Sequence, residues 1–313
     1  MNIKFWGVRG SIPTPLTQEL IKNKISAVIN RVRPEDLESP LTRESFLSKL
    51  PPELFGTIGG NTSCIEVQTD KSAFFVIDGG TGLREFGKWA VKEHPEIRDY
   101  HLFFTHFHWD HIQGIPFFAP AFNKKNHIRF YSPHPNFEEI IRNQMKSPYF
   151  PVEFDILPAK KSFVILPNTA LQFDDIKISW KRMKHPGGVF AYKFSFNGKS
   201  MIFATDSEIT EAEFKQDKEN ISFFKDCDML ILDSQYTFRE SIDKTDWGHS
   251  SYSLDVDLAA SWKVKKLVLF HHEPLYDDRK ILSMQRLSKW YLNHQEYKDT
   301  EIIIAMEGAE HRV

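Results

Sequence analysis

Residues 102–111 read LFFTHFHWDH, so three histidines and one aspartate follow directly on an apolar, strand-like run. A loop that leaves a strand can turn His106 and His108 to one side and Asp110 and His111 to the other. Imidazole and carboxylate ligands without thiolate suit Zn²⁺, Mn²⁺ or Fe²⁺. Two such ions held roughly 3.5–4 Å apart form a hydrolytic centre. The stretch therefore predicts a site for two divalent ions, with Zn²⁺ favoured.

Two neighbouring metal ions need more ligands than one loop supplies, and the rest of the chain offers three. His185, Asp206 and His271 each stand at or just past the end of a strand-like apolar run. Either His271 or the adjacent His272 could face a metal, and His271 is favoured because it lies nearer the strand end. These three candidates thus share a place at the ends of strand-like runs.

The chain alternates short apolar runs, bounded by turn residues, with stretches of helical periodicity. Asn197-Gly198 predicts a two-residue hairpin turn. Helices are predicted over residues 83–93, 137–145, 210–224, 251–262 and 277–291. The pattern predicts a single α/β domain over residues 1–313, with sheets covered by helices. Residues 16–54 read as an inserted pair of short helices, which form either a lid or a surface decoration.

The composition is that of a globular protein, with 41% hydrophobic and 26% charged residues. The 40 Lys and Arg nearly balance the 42 Asp and Glu, which excludes a strongly basic protein that binds nucleic acid by bulk charge. Cys64 and Cys227 are far apart and form no disulfide framework, which favours a reducing compartment. No apolar run is long enough for a signal peptide or a bilayer span, so we expect a cytoplasmic protein without a membrane partner.

The ordered set His106-x-His108-x-Asp110-His111, His185, Asp206 and His271 resembles the metallo-β-lactamase superfamily. The stretch 248–251, Gly-His-Ser-Ser, resembles the tRNase Z and phosphodiesterase branch of that superfamily. Further stretches resemble bacterial hydrolases of the branch, namely FWGVRGS (5–11), GGNTSC (59–64), DSQYT (233–237) and HHEP (271–274). The resemblance covers nearly the whole chain apart from residues 16–54.

The resemblance implies a four-layer αββα sandwich with its metal site at the sheet edges and a helical insertion near the N-terminus. It implies two sets of three ligands, bridged by Asp206: His106, His108 and His185 for one ion, and Asp110, His111 and His271 for the other. A water or hydroxide between the ions would be the nucleophile, because two cations lower its pKa.

The same resemblance assigns roles to residues around the ligands. Asp110 and His249 are the candidate catalytic residues, and His249 would act as general acid because an imidazole titrates near neutral pH. Asp78 and Asp233 would hydrogen-bond ligand histidines and fix their tautomers. His272 would lie behind the ligands.

These observations favour a dinuclear metal hydrolase that acts on a cyclic nucleotide or another small phosphodiester. The alternative is tRNA 3′ processing, which usually requires a flexible basic arm. Residues 16–54 contain no glycine and mix Lys and Arg with Asp and Glu, so nucleic acid is not the favoured substrate. A lactam or thioester hydrolase ranks lower, because a lactam hydrolase does not need the His249 motif. A non-catalytic module and a redox di-iron protein rank lower still, because the ligand histidines are intact.

Aromatic residues are frequent, with 27 Phe in the chain. Most of them are expected in the core. Tyr149 or Phe150 is predicted to reach the mouth of the site and stack on a planar group of the substrate. The resemblance also implies a homodimer.

Overall fold

Two seven-stranded sheets form the centre of the computed structural model, which describes residues 1–69 and 72–313. The first sheet has the strand order β14-β1-β2-β3-β4-β5-β6 and the second has β13-β12-β11-β10-β9-β8-β7. The strands of the first sheet are β1 (Asn2–Gly7), β2 (Cys64–Gln68), β3 (Ala73–Ile77), β4 (Asp99–Phe103), β5 (His127–Ser132), β6 (Lys160–Ile165) and β14 (Glu310–Arg312). Those of the second sheet are β7 (Leu171–Phe173), β8 (Ile176–Met183), β9 (Val189–Phe196), β10 (Lys199–Ala204), β11 (Met229–Asp233), β12 (Lys266–Phe270) and β13 (Glu301–Ile304).

The described residues also form eleven α-helices. They are α1 (Gln18–Ile29), α2 (Pro40–Ser48), α3 (Pro52–Phe55), α4 (Gly82–Glu93), α5 (Trp109–Ile112), α6 (Phe137–Gln144), α7 (Glu211–Phe214), α8 (Lys218–Phe224), α9 (Phe238–Asp243), α10 (Tyr252–Ser261) and α11 (Asp278–Leu292). Helices α4 and α6 pack on the first sheet, whereas α10 and α11 pack on the second. The predicted αββα sandwich is confirmed.

The two sheets pack face to face through aromatic side chains. Phe103 of β4 meets Phe194 of β9 with ring centroids 5.5 Å apart, and Phe5 of β1 meets Phe270 at 6.0 Å. The next residue of the chain, Phe104, points to the opposite face and packs in the core beneath α4. Because successive side chains of a strand alternate between faces, one strand of continuous apolar sequence serves both cores.

The topology brings the ends of several strands to one edge of the sandwich. Strands β3 to β6 run parallel to one another, and so do β10 to β13. The carboxyl ends of parallel strands lie at the same edge, which is where α/β proteins place their functional loops. Asp78 follows β3, the 106–111 loop follows β4, Asp206 follows β10 and His271 follows β12.

Residues 16–54 form an arm of α1, a 3₁₀ turn, α2 and the beginning of α3, and Leu54 is its one buried residue. Nζ of Lys24 attaches the arm to the body, because it donates to Oδ2 of Asp278 at 2.6 Å and to the carbonyl of Gly56 at 2.8 Å. The two helices predicted here are present.

The secondary structure departs from the sequence-based prediction in several short helices and edge strands. Helices α3, α5 and α9 were not predicted. Residues 210–224 form two short helices, because Thr210 caps α7 and Asp217 caps α8. Strands β6, β7 and β14 were not predicted. The Asn197-Gly198 hairpin between β9 and β10 is present, with φ of +50° and +71° at the two turn residues. Among the described residues, no helix has the length and apolar content of a membrane span.

Candidate metal centre

The predicted ligands converge in two groups at the common strand edge. In each group, one candidate atom per residue lies within 4.8 Å of all the others. The first metal group is His106, His108, His185 and Asp206, and the second metal group is Asp110, His111, Asp206 and His271. The structure thus brings together all seven residues that the sequence singled out.

Asp206 belongs to both groups because its two oxygens face opposite ways. Oδ2 lies 3.7 Å from Nε2 of His106 and 3.8 Å from Nε2 of His185. Oδ1 lies 3.1 Å from Nε2 of His111 and 3.1 Å from Nε2 of His271. This is the arrangement of a carboxylate that bridges two ions, as the resemblance implies.

The hydrogen bonds of the histidines test whether the groups suit metal ions. Nε2 of His106 and Nε2 of His111 are buried and have no hydrogen-bond partner among the described residues. Their other ring nitrogens are engaged, with Nδ1 of His111 lying 2.7 Å from Oδ2 of Asp78. Nδ1 of His185 likewise donates to the carbonyl of Gly248 at 2.9 Å. Because a histidine held through Nδ1 directs the lone pair of Nε2 outward, these residues fit metal ligation.

Charges within the groups also fit cations. Burial alone would raise the pKa of Asp110 and of Asp206, but the neighbouring His111 and His271 outweigh it and hold both pKa values below the usual range. Burial lowers the pKa of His106, which favours the neutral state in which histidine binds metal, whereas the neighbouring carboxylates raise the pKa of His111 and of His271. The arrangement is consistent with a dinuclear metal site.

The carboxylate of Asp78 is hydrogen-bonded to several groups beside the second metal group. Its carboxylate accepts hydrogen bonds from the backbone N–H of Thr105 at 2.9 Å, from Oγ of Ser63 at 3.1 Å and from Nδ1 of His111. It orients a candidate ligand, as the resemblance implies. Its φ is +64°, and φ is also positive at Asp206 (+49°) and His271 (+58°). Left-handed backbone at non-glycine residues concentrates at functional sites, where the surrounding structure holds it in place.

The loop after β1 contributes contacts to which sequence reasoning assigned no role. The backbone N–H of Ser11 donates to Oδ2 of Asp110 at 2.8 Å. A Cβ at Gly10 would lie 2.6 Å from Cε1 of His271, and a Cβ at Gly248 would lie 2.2 Å from Nδ1 of His185. The glycines permit this close approach. Their one signal in the sequence was that they belong to the stretches that carry the resemblance.

Residues 74–272 match the protein family described as the beta-lactamase superfamily domain, and this span includes all seven candidate ligands. The chain belongs to this superfamily. Its complete set of histidine and aspartate ligands makes it a metal-dependent hydrolase of the metallo-β-lactamase fold.

Individual relatives of this metallo-β-lactamase superfamily chain are distant. It is 23% identical over 279 residues to a ribonuclease Z of Prochlorococcus marinus (strain NATL1A), a match that covers 70% of this chain and 84% of the relative. The metallo-beta-lactamase fold protein YhfI of Bacillus subtilis superposes with a TM-score of 0.63 at 14% identity, covering 99% of this chain and 98% of the other. A diphosphatase of the PhnP family superposes with a TM-score of 0.62 at 17% identity, covering 100% and 97% of the two chains.

His249 lies beside the second metal group of this superfamily chain. Nδ1 of His249 is 2.5 Å from Oδ2 of Asp233, and its ring lies 5.2 Å from that of His271 and 5.3 Å from that of His185. Burial disfavours the charged imidazole, but Asp233 outweighs burial and raises the pKa of His249 to about 9. The sequence-based expectation of titration near neutral pH left out this buried carboxylate. A proton held at neutral pH still suits a general acid.

The two adjacent histidines separate in the structure. His271 belongs to the second metal group, whereas Nε2 of His272 lies 2.9 Å from the carbonyl oxygen of Ala305. Burial beside Arg9 lowers the pKa of His272 to about 3, so this ring is a neutral hydrogen-bond donor in the core. The choice of His271 agrees with the geometry.

Tyr149 and Phe150 line a cavity of about 640 Å³ whose opposite wall includes Phe107 and Trp109 of the 106–111 loop. Tyr149 is 82% exposed and Trp109 is 78% exposed. The prediction singled out the aromatic residues of one wall and missed Trp109 in the other.

Proposed function

We propose that the chain hydrolyses a small phosphodiester, such as a cyclic nucleotide, with the aid of two divalent ions, Zn²⁺ before Mn²⁺ or Fe²⁺. The observation that carries this proposal is the hydrogen-bonded pair Asp233–His249, which stands next to both metal groups. A phosphodiester releases an alkoxide, which needs a proton, and this pair is built to hold one.

The seven residues of the two metal groups would hold the ions. Bound there, two cations supply Lewis-acid stabilisation of phosphoryl charge and an activated water. Asp78, the Ser11 backbone N–H and the Gly248 carbonyl hold the ligand side chains in place. His249 donates its Nε2 proton to the leaving oxygen, while Asp233 accepts the bond from Nδ1 and fixes the ring. Asp110 contributes through its place in the second metal group.

The names of the similar proteins support a phosphate substrate. The matched relative of Prochlorococcus marinus is named a ribonuclease Z, and one structural neighbour is named a diphosphatase. Both names describe cleavage of phosphate linkages.

Processing of tRNA is the second candidate, favoured by the match to ribonuclease Z. The composition of the arm, residues 16–54, counts against this candidate. The arm carries six Lys and Arg and six Asp and Glu, so it has no net charge, and it contains no glycine. A segment that follows an RNA backbone gains affinity from net positive charge. We therefore rank a small diester first. The cytoplasmic location and the homodimer stay predictions.

Hydrolysis of two substrates with different leaving groups by the metal-loaded protein tests the proposal. Bis(p-nitrophenyl) phosphate releases p-nitrophenolate, which leaves without a proton, whereas 2′,3′-cyclic AMP releases a ribose alkoxide. We expect His249→Ala to lower kcat for the cyclic nucleotide roughly 10²–10⁴-fold and to affect the nitrophenyl ester far less. Asp110→Ala should lose both activities together with bound metal. His294→Ala, at an exposed histidine outside the site, is the control.

Three results would contradict the proposal: the first would contradict the role of His249, and the other two would contradict hydrolysis of a small diester. Equal losses on both substrates would remove His249 as the proton donor. Inactivity of the protein with its full metal content on both esters, together with cleavage of a precursor tRNA, would establish the second candidate. Inactivity on all three substrates would reject phosphodiester chemistry.

A further inference from the structure

A cavity of about 640 Å³ opens beside the metal centre, a volume typical of small-molecule sites. We call it the aromatic cavity. One wall is formed by residues 107–117, which include the metal-binding loop. The other is formed by residues 140–150, from α6 and the segment that follows it.

The aromatic cavity adjoins the ligands through the backbone of the loop. Phe107 stands between His106 and His108, and Trp109 directly precedes Asp110. A second cavity of about 260 Å³ is lined by His106 and His108 themselves, and it shares the wall residues Phe107 and Ile140 with the aromatic cavity. A substrate whose phosphate lies at the metals would pass these two shared residues to reach the aromatic cavity.

The walls of this cavity offer flat apolar surface that the core does not use. Trp109 is 78% exposed, Tyr149 is 82% exposed and Phe117 is 55% exposed. Large aromatic side chains at such exposure are free to stack on a planar group, since π-faces attract each other in offset or edge arrangements.

Apart from the Tyr149 hydroxyl and the Trp109 indole N–H, the polar side chains of the cavity are carboxamides, and none of the described residues that line it is charged. They are Gln113, Asn143 and Gln144. Nε2 of Gln144 donates to the carbonyl of Ile112 at 2.8 Å, whereas its Oε1 is buried without a hydrogen-bond partner among the described residues. A carboxamide both donates and accepts, so it matches the edge of a neutral heterocycle rather than an ion.

We propose that the aromatic cavity binds the nucleobase of a nucleotide diester, with Tyr149 and Trp109 as the stacking side chains. This inference rests on the proposed function, since it places the phosphate of the same substrate at the metal centre. The residues of the cavity then set the preference for diesters that carry a base over diesters that lack one.

The test compares two cyclic diesters, 2′,3′-cyclic AMP with a base and glycerol 1,2-cyclic phosphate without one. The metal-loaded protein should prefer the nucleotide through a lower KM. Because stacking of one base on an aromatic side chain is worth roughly tenfold or more in affinity, Tyr149→Ala should reduce this preference, as a ratio of kcat/KM, about tenfold. Tyr149→Phe keeps the ring and should retain the preference. Trp290→Ala, at a tryptophan that is 62% exposed on α11, is the matched control.

The outcomes separate the two proposals. Hydrolysis of both diesters with the same ratio in the protein and in Tyr149→Ala would overturn the base site and leave the proposed function standing. If neither diester is hydrolysed, calorimetric titration with AMP decides on the base site alone. Binding that Tyr149→Ala weakens about tenfold would support the site without the reaction, and binding that the substitution leaves unchanged would reject it.

Discussion

Oδ2 of Asp110 accepts a hydrogen bond from the backbone N–H of Ser11 at 2.8 Å and lies 3.2 Å from Nε2 of His271. The loop after β1 thus contacts a carboxylate of the second metal group. The loop can approach so closely because residue 10 is glycine. Its place against His271 makes this loop part of the metal centre, although it lies outside the span that matches the family.

Gly10→Ala should displace His271 from the second metal group. The added Cβ would lie 2.6 Å from Cε1 of His271, closer than real side chains approach, so either the ring or the loop must move. Overpacking of this kind costs about 1–3 kcal/mol. We expect fewer than two metal ions per chain by elemental analysis. Gly56→Ala is the control and should keep the full metal content, because the nearest atom to its Cβ is 3.7 Å away. Full metal occupancy in Gly10→Ala would show that the added Cβ does not displace His271.

Asp78→Asn should weaken metal binding without removing a ligand. The amide loses the negative charge that faces Nδ1 of His111, and with it the control of that ring's tautomer and orientation. Substitutions of this type lower metal affinity about 10–100-fold. Competition with a chromogenic chelator measures the change, and the exposed Asp243→Asn is its control. An affinity equal to that of the unsubstituted protein would show that Asp78 serves packing alone.

His101 should make folding stability depend on pH independently of the metal centre. Burial lowers the pKa of this ring to about 4, against 6.5 for an ordinary histidine. As the pH falls below 6.5, the ring takes up a proton in the unfolded chain but not in the folded one. The free energy of unfolding is therefore unaffected by His101 above pH 6.5 and falls as the pH decreases towards 4. The loss corresponds to about 3 kcal/mol.

Urea unfolding at pH 7 and pH 4 of the protein and of His101→Phe measures this effect. The free energy of unfolding of the unsubstituted protein should fall by about 3 kcal/mol more than that of the variant. Ionisations common to both proteins cancel in the comparison. Equal falls in the two proteins would show that His101 is not held neutral.

Lys24→Met should loosen the arm formed by residues 16–54. The ammonium group is the donor to Oδ2 of Asp278 at 2.6 Å and to the carbonyl of Gly56, and the arm buries little else. Charged hydrogen bonds of this kind contribute about 1.5–3 kcal/mol. Amide hydrogen exchange in α1 should quicken, whereas Lys22→Met, at an exposed position, should leave it unchanged. Protection of α1 that survives Lys24→Met would mean that other contacts hold the arm.

The sequence pattern predicted an α/β domain with helix-covered sheets and the candidate ligands, because both depend on side chains with a strong pattern, whereas the four-layer arrangement was implied by the resemblance. Parallel strands such as β11 are buried on both faces and read as unbroken apolar runs, and His106 to His111 stand where such a run ends. Strand β6 was missed because it begins with two lysines and lies at an edge, where one side needs no apolar residues. The Thr210–Phe224 segment was read as one helix, since its period continues across the cap at Asp217.

Several parts of the site left no trace in the sequence pattern, because backbone atoms supply them. The N–H of Ser11 and the carbonyl of Gly248 hold Asp110 and His185. Any residue type carries these groups, so they become visible once the loops are placed. The raised pKa of His249 depended on the distance to Asp233, which spacing along the chain does not give.

Each metal group takes two residues from the loop after β4, in the first sheet, and two from loops of the second. An ion bound in either group would therefore join the two halves of the sandwich, and its binding energy would add to the cohesion between the sheets. Ligands that bind only the folded state raise its stability with concentration. A chelator would then act as a mild denaturant, and the melting temperature of the protein would report the free concentration of its metal.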